Sequence, residues 1–128
     1  MLRWSMLMQS KPKKILVVED DPDILEFLQV LFAQEGYTVA IADQPEDVEN
    51  LHDGSLPDLI LIDVSLSGKD GRDIVKHLKS QTETSSIPII MFSAYLHAEE
   101  TARAAGADDF VAKPFEVDEL LEKIARHF

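Results

Sequence analysis

Cysteine is absent from the chain, so it can build neither a disulfide framework nor a thiolate metal site. That absence fits a reducing compartment. Positive charge is scarce: 12 Lys and Arg stand against 24 Asp and Glu, a formal net charge of −12. Nucleic acid and anionic membrane surfaces are repelled by such a balance unless a local basic patch intervenes. Lys11, Lys13 and Lys14 form the only basic cluster, and they sit in or beside an N-terminal tail. No apolar run approaches membrane-spanning length. The opening MLRWSMLM has no small-residue cleavage site and reads as a tail over residues 1–12 rather than a signal peptide. Internal repeats and low-complexity segments are also missing. These absences lead to the expectation of a cytoplasmic protein with no direct nucleic-acid or membrane contact.

What is present suits one domain. The chain has 128 residues, 45% of them hydrophobic and 28% charged, enough for one sizeable core and too few for two. KILVVED (Lys14–Asp20) is an apolar run ending in acids. Asp21-Pro22 reads as a helix start, with Asp21 capping and Pro22 in the first turn. Ile24, Leu25, Leu28, Leu31 and Phe32 recur at helical spacing up to Gly36. YTVAIA (Tyr37–Ala42) is a short strand, and Pro45 opens a brief helix carrying Val48 and Leu51. Leu59–Ile62 is an unbroken apolar strand that stops on Asp63. A helix from about Gly71 presents Ile74, Val75 and Leu78. IPIIMFS (Ile87–Ser93) is a buried strand, followed by an alanine-rich helix ending at Gly106. FVA (Phe110–Ala112) is a minimal last strand, and Val117, Leu120, Leu121 and Ile124 make the stripe of a terminal helix. The pattern is strand then helix, five times. Strands apolar throughout and separated by helices predict a parallel sheet covered on both faces. Ligands of such sheets sit at the carboxyl ends of the strands, where strand order reverses.

That edge gathers Glu19 and Asp20 from the first strand, Asp63 from the third, Ser93 from the fourth and Lys113 after the fifth. Carboxylates packed together repel and require a cation. Oxygen donors without His or Cys suit Mg²⁺, with Mn²⁺ as a substitute. A carboxylate beside such a metal can act as a nucleophile toward phosphorus. Lysine and serine can then hold the phosphoryl oxygens.

The stretches ILVVEDDPDIL, LILIDVSLSGKDG, IIMFSA and DDFVAKPF resemble, in this order and at strand ends, the response-regulator receiver domain of the CheY-like superfamily. The resemblance covers residues 13–128. It implies an α/β fold of five (βα) units, a doubly wound parallel sheet of flavodoxin-like order 2-1-3-4-5. It implies a two-component signalling protein in which Asp63 is the phosphoacceptor. Asp20 would be a direct metal ligand, Glu19 a second acid acting mainly through water, and the Ser65 backbone carbonyl a further ligand. Ser93 and Phe110 fall at the switch positions, and Lys113 at the lysine that pairs with the phosphoryl group. The Lys113–Pro114 bond would be cis. The implied partners are a sensor histidine kinase or a histidine phosphotransfer protein, and a downstream target or a second copy. The responsive surface is formed by the fourth helix, fifth strand and fifth helix. With nothing after the terminal helix, a stand-alone receiver is expected, one that is not an enzyme but promotes its own phosphorylation and dephosphorylation. Ser67 stands where many members carry proline, a change that removes no functional group. Ser65 and Tyr95 occupy positions that tune phosphoryl lifetime.

Other readings compete. A lone strand-end Asp usually caps a loop, and only the matching strand ends make Asp63 functional. Glu19 is open between an acid acting on the metal through water and a solvated surface residue, and Phe110 between switch and core. Asp21 is left out of the site as a cap. His52, His77, His97 and His127 share no ligand spacing and are expected on surfaces, as are Asp108-Asp109 and Glu99-Glu100. A phosphatase of haloacid-dehalogenase type would need a second Asp two residues after the nucleophile, where Ser65 stands. A non-phosphorylated pseudo-receiver would not need the intact acid set. Flavin binding would need a hydroxyl- and glycine-rich loop where EDDPD stands.

Overall fold

A computed structural model describes residues 12–49, 51, 54, 56–95 and 97–128. The expected tail, apart from Pro12, lies outside the described residues, and so does His52. The elements are β1 (Lys14–Val18), α1 (Pro22–Gln34), β2 (Thr38–Ala42), α2 (Pro45–Glu49) and β3 (Leu59–Asp63). A small antiparallel ribbon (Ser65–Leu66 with Lys69–Asp70) follows. Then come α3 (Gly71–Ser80), β4 (Ile89–Ser93), α4 (Ala98–Ala105), β5 (Asp109–Ala112) and α5 (Val117–Arg126). The five strands form one parallel sheet in the order β2-β1-β3-β4-β5, the arrangement expected. Strand order reverses between β1 and β3, which places the crevice of a doubly wound sheet above these two strands.

Alternation along the strands divides the interior into two layers. Leu16, Val18, Ile60, Ile62, Ile89 and Met91 face α2, α3 and α4, packing with Val48, Ile74, Val75, Leu78 and Ala102. Ile15, Val17, Leu59, Leu61, Ile90, Phe92 and Val111 face α1 and α5, packing with Leu28, Phe32, Leu120 and Ile124. Leu59 to Ile62 are all fully buried, each contributing roughly 1.5–3 kcal/mol through removal from water. This is why β3 reads as continuous oil: both of its faces are interior.

Local chemistry sets the element ends. Asp21 caps α1 by accepting from the Asp23 amide at 2.9 Å, with Pro22 in the first turn. Asp70 caps α3 in the same way, accepting from the Arg72 amide at 2.9 Å. The fourth strand begins at Ile89, two residues later than its apolar run suggests. Pro88 has no amide to give the ladder, yet its carbonyl still accepts from the Ile60 amide at 3.0 Å. The ribbon was not legible in the sequence, since two-residue strands carry no periodicity.

Gly71 holds β3 and α3 together. Its amide donates to the Val64 carbonyl at 2.7 Å, and a Cβ there would lie 2.0 Å from the Asp63 carbonyl oxygen. Backbone opposes backbone, so neither side can yield by a rotamer change. Gly71→Ala should therefore lower the unfolding free energy by about 1–3 kcal/mol. Urea denaturation of the two proteins measures it, and equal midpoints would contradict the close approach.

Candidate functional site

The carboxyl ends of β1, β3, β4 and β5 deliver the predicted residues to one edge. Asp63, the last residue of β3, is 4% exposed. Its Oδ1 accepts from the Ser65 amide at 2.9 Å, and its Oδ2 from Lys113 Nζ at 2.6 Å. Lys113 follows β5, and its amide is tied to the Ser93 carbonyl at 2.9 Å. The ammonium sits 4.9 Å above the Phe92 ring centroid and 3.8 Å from Glu19 Oε2. The Lys113–Pro114 bond is cis, as the resemblance implies.

Glu19 is buried, which excludes the solvated alternative. Its Oε1 accepts from the Asp21 amide at 3.2 Å, while its buried Oε2 has no hydrogen-bond partner. Burial and then the adjacent Asp63 carboxylate push its carboxyl up to about 8, against an opposing pull from Lys113. Two buried acids thus share one ammonium, and one acid oxygen is orphaned. A hard divalent cation would supply the missing charge, and the donors here are all oxygens, so the residues fit such an ion. The third acid, Asp20, stands apart. Its Oδ2 accepts from the Ser67 amide at 2.8 Å, and the Ser67 hydroxyl is the first cause holding its carboxyl below the usual range. Among the described residues no three acid or imidazole side chains converge as a ready metal cage.

The other predicted residues have separate engagements. Ser93 is buried, and its Oγ accepts from the Tyr95 amide at 3.0 Å. Ser65 is exposed at the start of the ribbon. Phe110 is buried, packed in the α3–α4 layer, and shares with Ser93, Tyr95 and Lys113 the wall of a cavity of about 200 Å³. A wider cleft of about 580 Å³, lined by Val64, Ser65, Arg72, Tyr95 and His97 among others, opens beside the end of β3.

Two expectations fail together. Asp109 is 5% exposed, not solvated. It accepts from the Phe110 amide at 3.0 Å and from Arg103 Nη2 at 3.2 Å, and His127 Nε2 lies 3.2 Å from its Oδ2. Burial works to raise its carboxyl, but the Phe110 amide, His127, Lys123 and Arg103 outweigh it and leave it lowered. His127 is correspondingly half-buried against Asp109 rather than free on a surface. Glu99, Glu100, His77 and His97 are exposed as expected, and Asp108 is exposed but bonded to Lys79 Nζ and the Ile89 amide. These partners lie on other elements, so no local spacing announced them.

The family model for the response regulator receiver domain matches residues 15–125. The chain belongs to this family. The receiver is 37% identical over 114 residues to the phosphate regulon transcriptional regulatory protein PhoB of Escherichia coli. That match covers 88% of the chain and 50% of PhoB, so the chain spans about half the length of this relative. A crystal structure of a putative response regulator from Chloroflexus aurantiacus superposes with a TM-score of 0.86 at 33% identity, covering 91% of this chain and 98% of that one. The response regulator TrrA of Thermotoga maritima, solved in complex with Mg²⁺-BeF, gives 0.81 at 31% identity, covering 91% and 99%. Among the described residues no helix is long and apolar enough to cross a membrane.

The receiver's buried acid pair should make its stability pH-dependent. Glu19 binds its proton more tightly folded than unfolded, so its contribution is complete below about 4.5 and is lost as pH rises to about 8. In chelator, the urea midpoint of the parent should fall between those limits by more than that of Glu19→Gln, whose amide stays neutral. Parallel pH profiles would show Glu19 titrating as a surface acid.

Proposed function

We propose that this receiver accepts a phosphoryl group on Asp63 from a phosphohistidine, supplied by a sensor histidine kinase or a histidine phosphotransfer protein. One observation carries the reading: the strand-end Asp63 carboxylate lies 2.6 Å from the Lys113 ammonium, beside a second buried acid with an orphaned oxygen. An Asp63 oxygen attacks phosphorus, a P–O bond forms and the donor's P–N bond breaks. The electron pair leaves on the imidazole nitrogen, which takes a proton. No general base is needed, because the carboxylate reacts ionised. Lys113 pairs with the added charge, about −1.5 to −2 at neutral pH. Glu19, Asp20, Asp63 and the Ser65 carbonyl would hold Mg²⁺, or Mn²⁺ in its place. When bound, the ion neutralises charge on the transferring group and on the acids. Residues 13–128 form the signalling unit, acting in the cytoplasm, with 1–12 as a preceding segment. The domain promotes its own phosphorylation and dephosphorylation and turns over no separate substrate. Ser65 and Tyr95 line the cleft beside the acceptor, which suits them to govern entry of a hydrolysing water.

The output follows from Ser93. A phosphoryl group on Asp63 competes for its hydroxyl with the Tyr95 amide, because a charge-assisted hydrogen bond is the stronger one. Phe110, already buried and without a hydroxyl, adjusts by packing alone. The face of α4, β5 and α5 thereby changes its affinity for a downstream protein or a second copy.

Incubation with a small phosphodonor and Mg²⁺ should add one phosphoryl group to the parent and none to Asp63→Asn, and chelation should abolish the gain. Intact mass and site mapping decide this. Phosphorylation of Asp63→Asn at the parent's rate would sink the assignment.

Lys113→Ala should fold in Mg²⁺ and still accept the group, yet fail to pass the change to the Ser93–Tyr95 segment. NMR shifts there provide the measure, and shifts identical to the parent's would remove Lys113 from the response.

A further inference from the structure

The acids at the sheet edge are divided between two holders. Glu19 and Asp63 gather on Lys113. Asp20 instead reaches across to the loop after β3, 47 residues along the chain, where the Ser67 amide donates to Oδ2 at 2.8 Å. That carboxyl is held below its usual range, with Ser67 as the first cause.

The ribbon's geometry explains how this amide comes to face Asp20. Leu66 pairs with Lys69, so Ser67 and Gly68 are the two residues of its turn. Gly68 has φ 73°, and no described non-glycine residue has a positive φ. Negative φ followed by positive φ is the type II pattern. The amide of the first turn residue takes no part in the ribbon's own ladder. Here it points at Asp20.

We propose that Ser67 is a latch on Asp20: the turn holds the carboxylate away from Glu19 and Asp63, and Mg²⁺ binds only as Asp20 exchanges the Ser67 amide for the ion. Ser67 is thus a positioning residue, acting through Asp20. The proposal rests on Asp20 being a magnesium ligand. Its consequence is that metal loading and the ribbon are coupled. The same ribbon carries Ser65, whose amide holds Asp63 Oδ1, so release of the latch reaches the acceptor.

The test is calorimetric titration of the whole chain with Mg²⁺, with no phosphodonor present. Ser67→Pro removes the amide donor, and the hydroxyl with it, and a type II turn accepts proline at its first position. Leu66 before it is already extended, as a residue preceding proline must be. Ser67→Pro should tighten Mg²⁺ binding about three- to tenfold, the range expected when hydrogen bonds to a charged group no longer compete. Ser67→Ala, which keeps the amide, should tighten it less. In an Asp20→Ala background Ser67→Pro should bring no gain, because the latch then has nothing to hold. Unchanged or weaker binding in Ser67→Pro, or a gain that survives in Asp20→Ala, overturns the latch. Should Ser67→Pro not fold, hydrogen exchange of the Ser67 amide in the parent decides: it should lose protection when Mg²⁺ is added, and unchanged protection overturns the latch equally. If Asp20→Ala alone binds Mg²⁺ as well as the parent, the ligand assignment itself fails. A latch that fails while Asp20 still matters leaves that assignment standing.

Discussion

The ion pair between Lys113 and Asp63 joins two strand ends 50 residues apart in the chain, and the rest of the edge is arranged around its shortfall. One ammonium serves two buried carboxyls, Asp63 closely and Glu19 at longer range. Breaking a buried pair leaves an uncompensated charge, which is strongly unfavourable. Keeping Glu19 protonated or admitting a cation relieves the excess, and either response changes the surroundings of Asp63. The fold tolerates this tension because the sheet beneath is rigid. Each strand that supplies a site residue is buried on both faces, so the acids cannot separate without exposing the layers of Leu, Ile and Val that hold them.

The sheet and its edge were legible because the signals were long or terminal. Continuous apolar runs ended on Glu19-Asp20, Asp63 and Ser93, and alternating helices forced parallel strands. Asp63, Ser93 and Lys113 could be placed from strand ends alone. Glu19 could not, because adjacent carboxylates at the end of β1 have equal claims until the backbone turns one inward. Asp109 was misjudged for a related reason. A pair of aspartates after Gly106 reads as solvent-facing, and only the arrival of Arg103, Lys123 and His127 from two helices makes its burial tolerable.

Ser67 shows a subtler limit. As one residue type in place of another it looks neutral, since no side-chain function is lost. Its contribution comes from a backbone amide that proline lacks, aimed at a carboxylate on another loop. Substitution tables compare side chains, and here the side chain is only half of the difference. Gly71 belongs with it: what matters there is an absent atom, and the space it leaves is taken by the Asp63 carbonyl.

The cluster around Asp109 bears on how a change at Asp63 would travel. Arg103 comes from α4, Lys123 from α5 and His127 from just beyond its end, and all three close on one carboxylate of β5. Lys123 also donates to the Phe110 carbonyl at 2.6 Å. Helix, strand and helix are therefore riveted at their centre like ribs to a keel. A push on Phe110 from the site side meets a plate rather than three loose rods, and its effect is shared by all three elements at once.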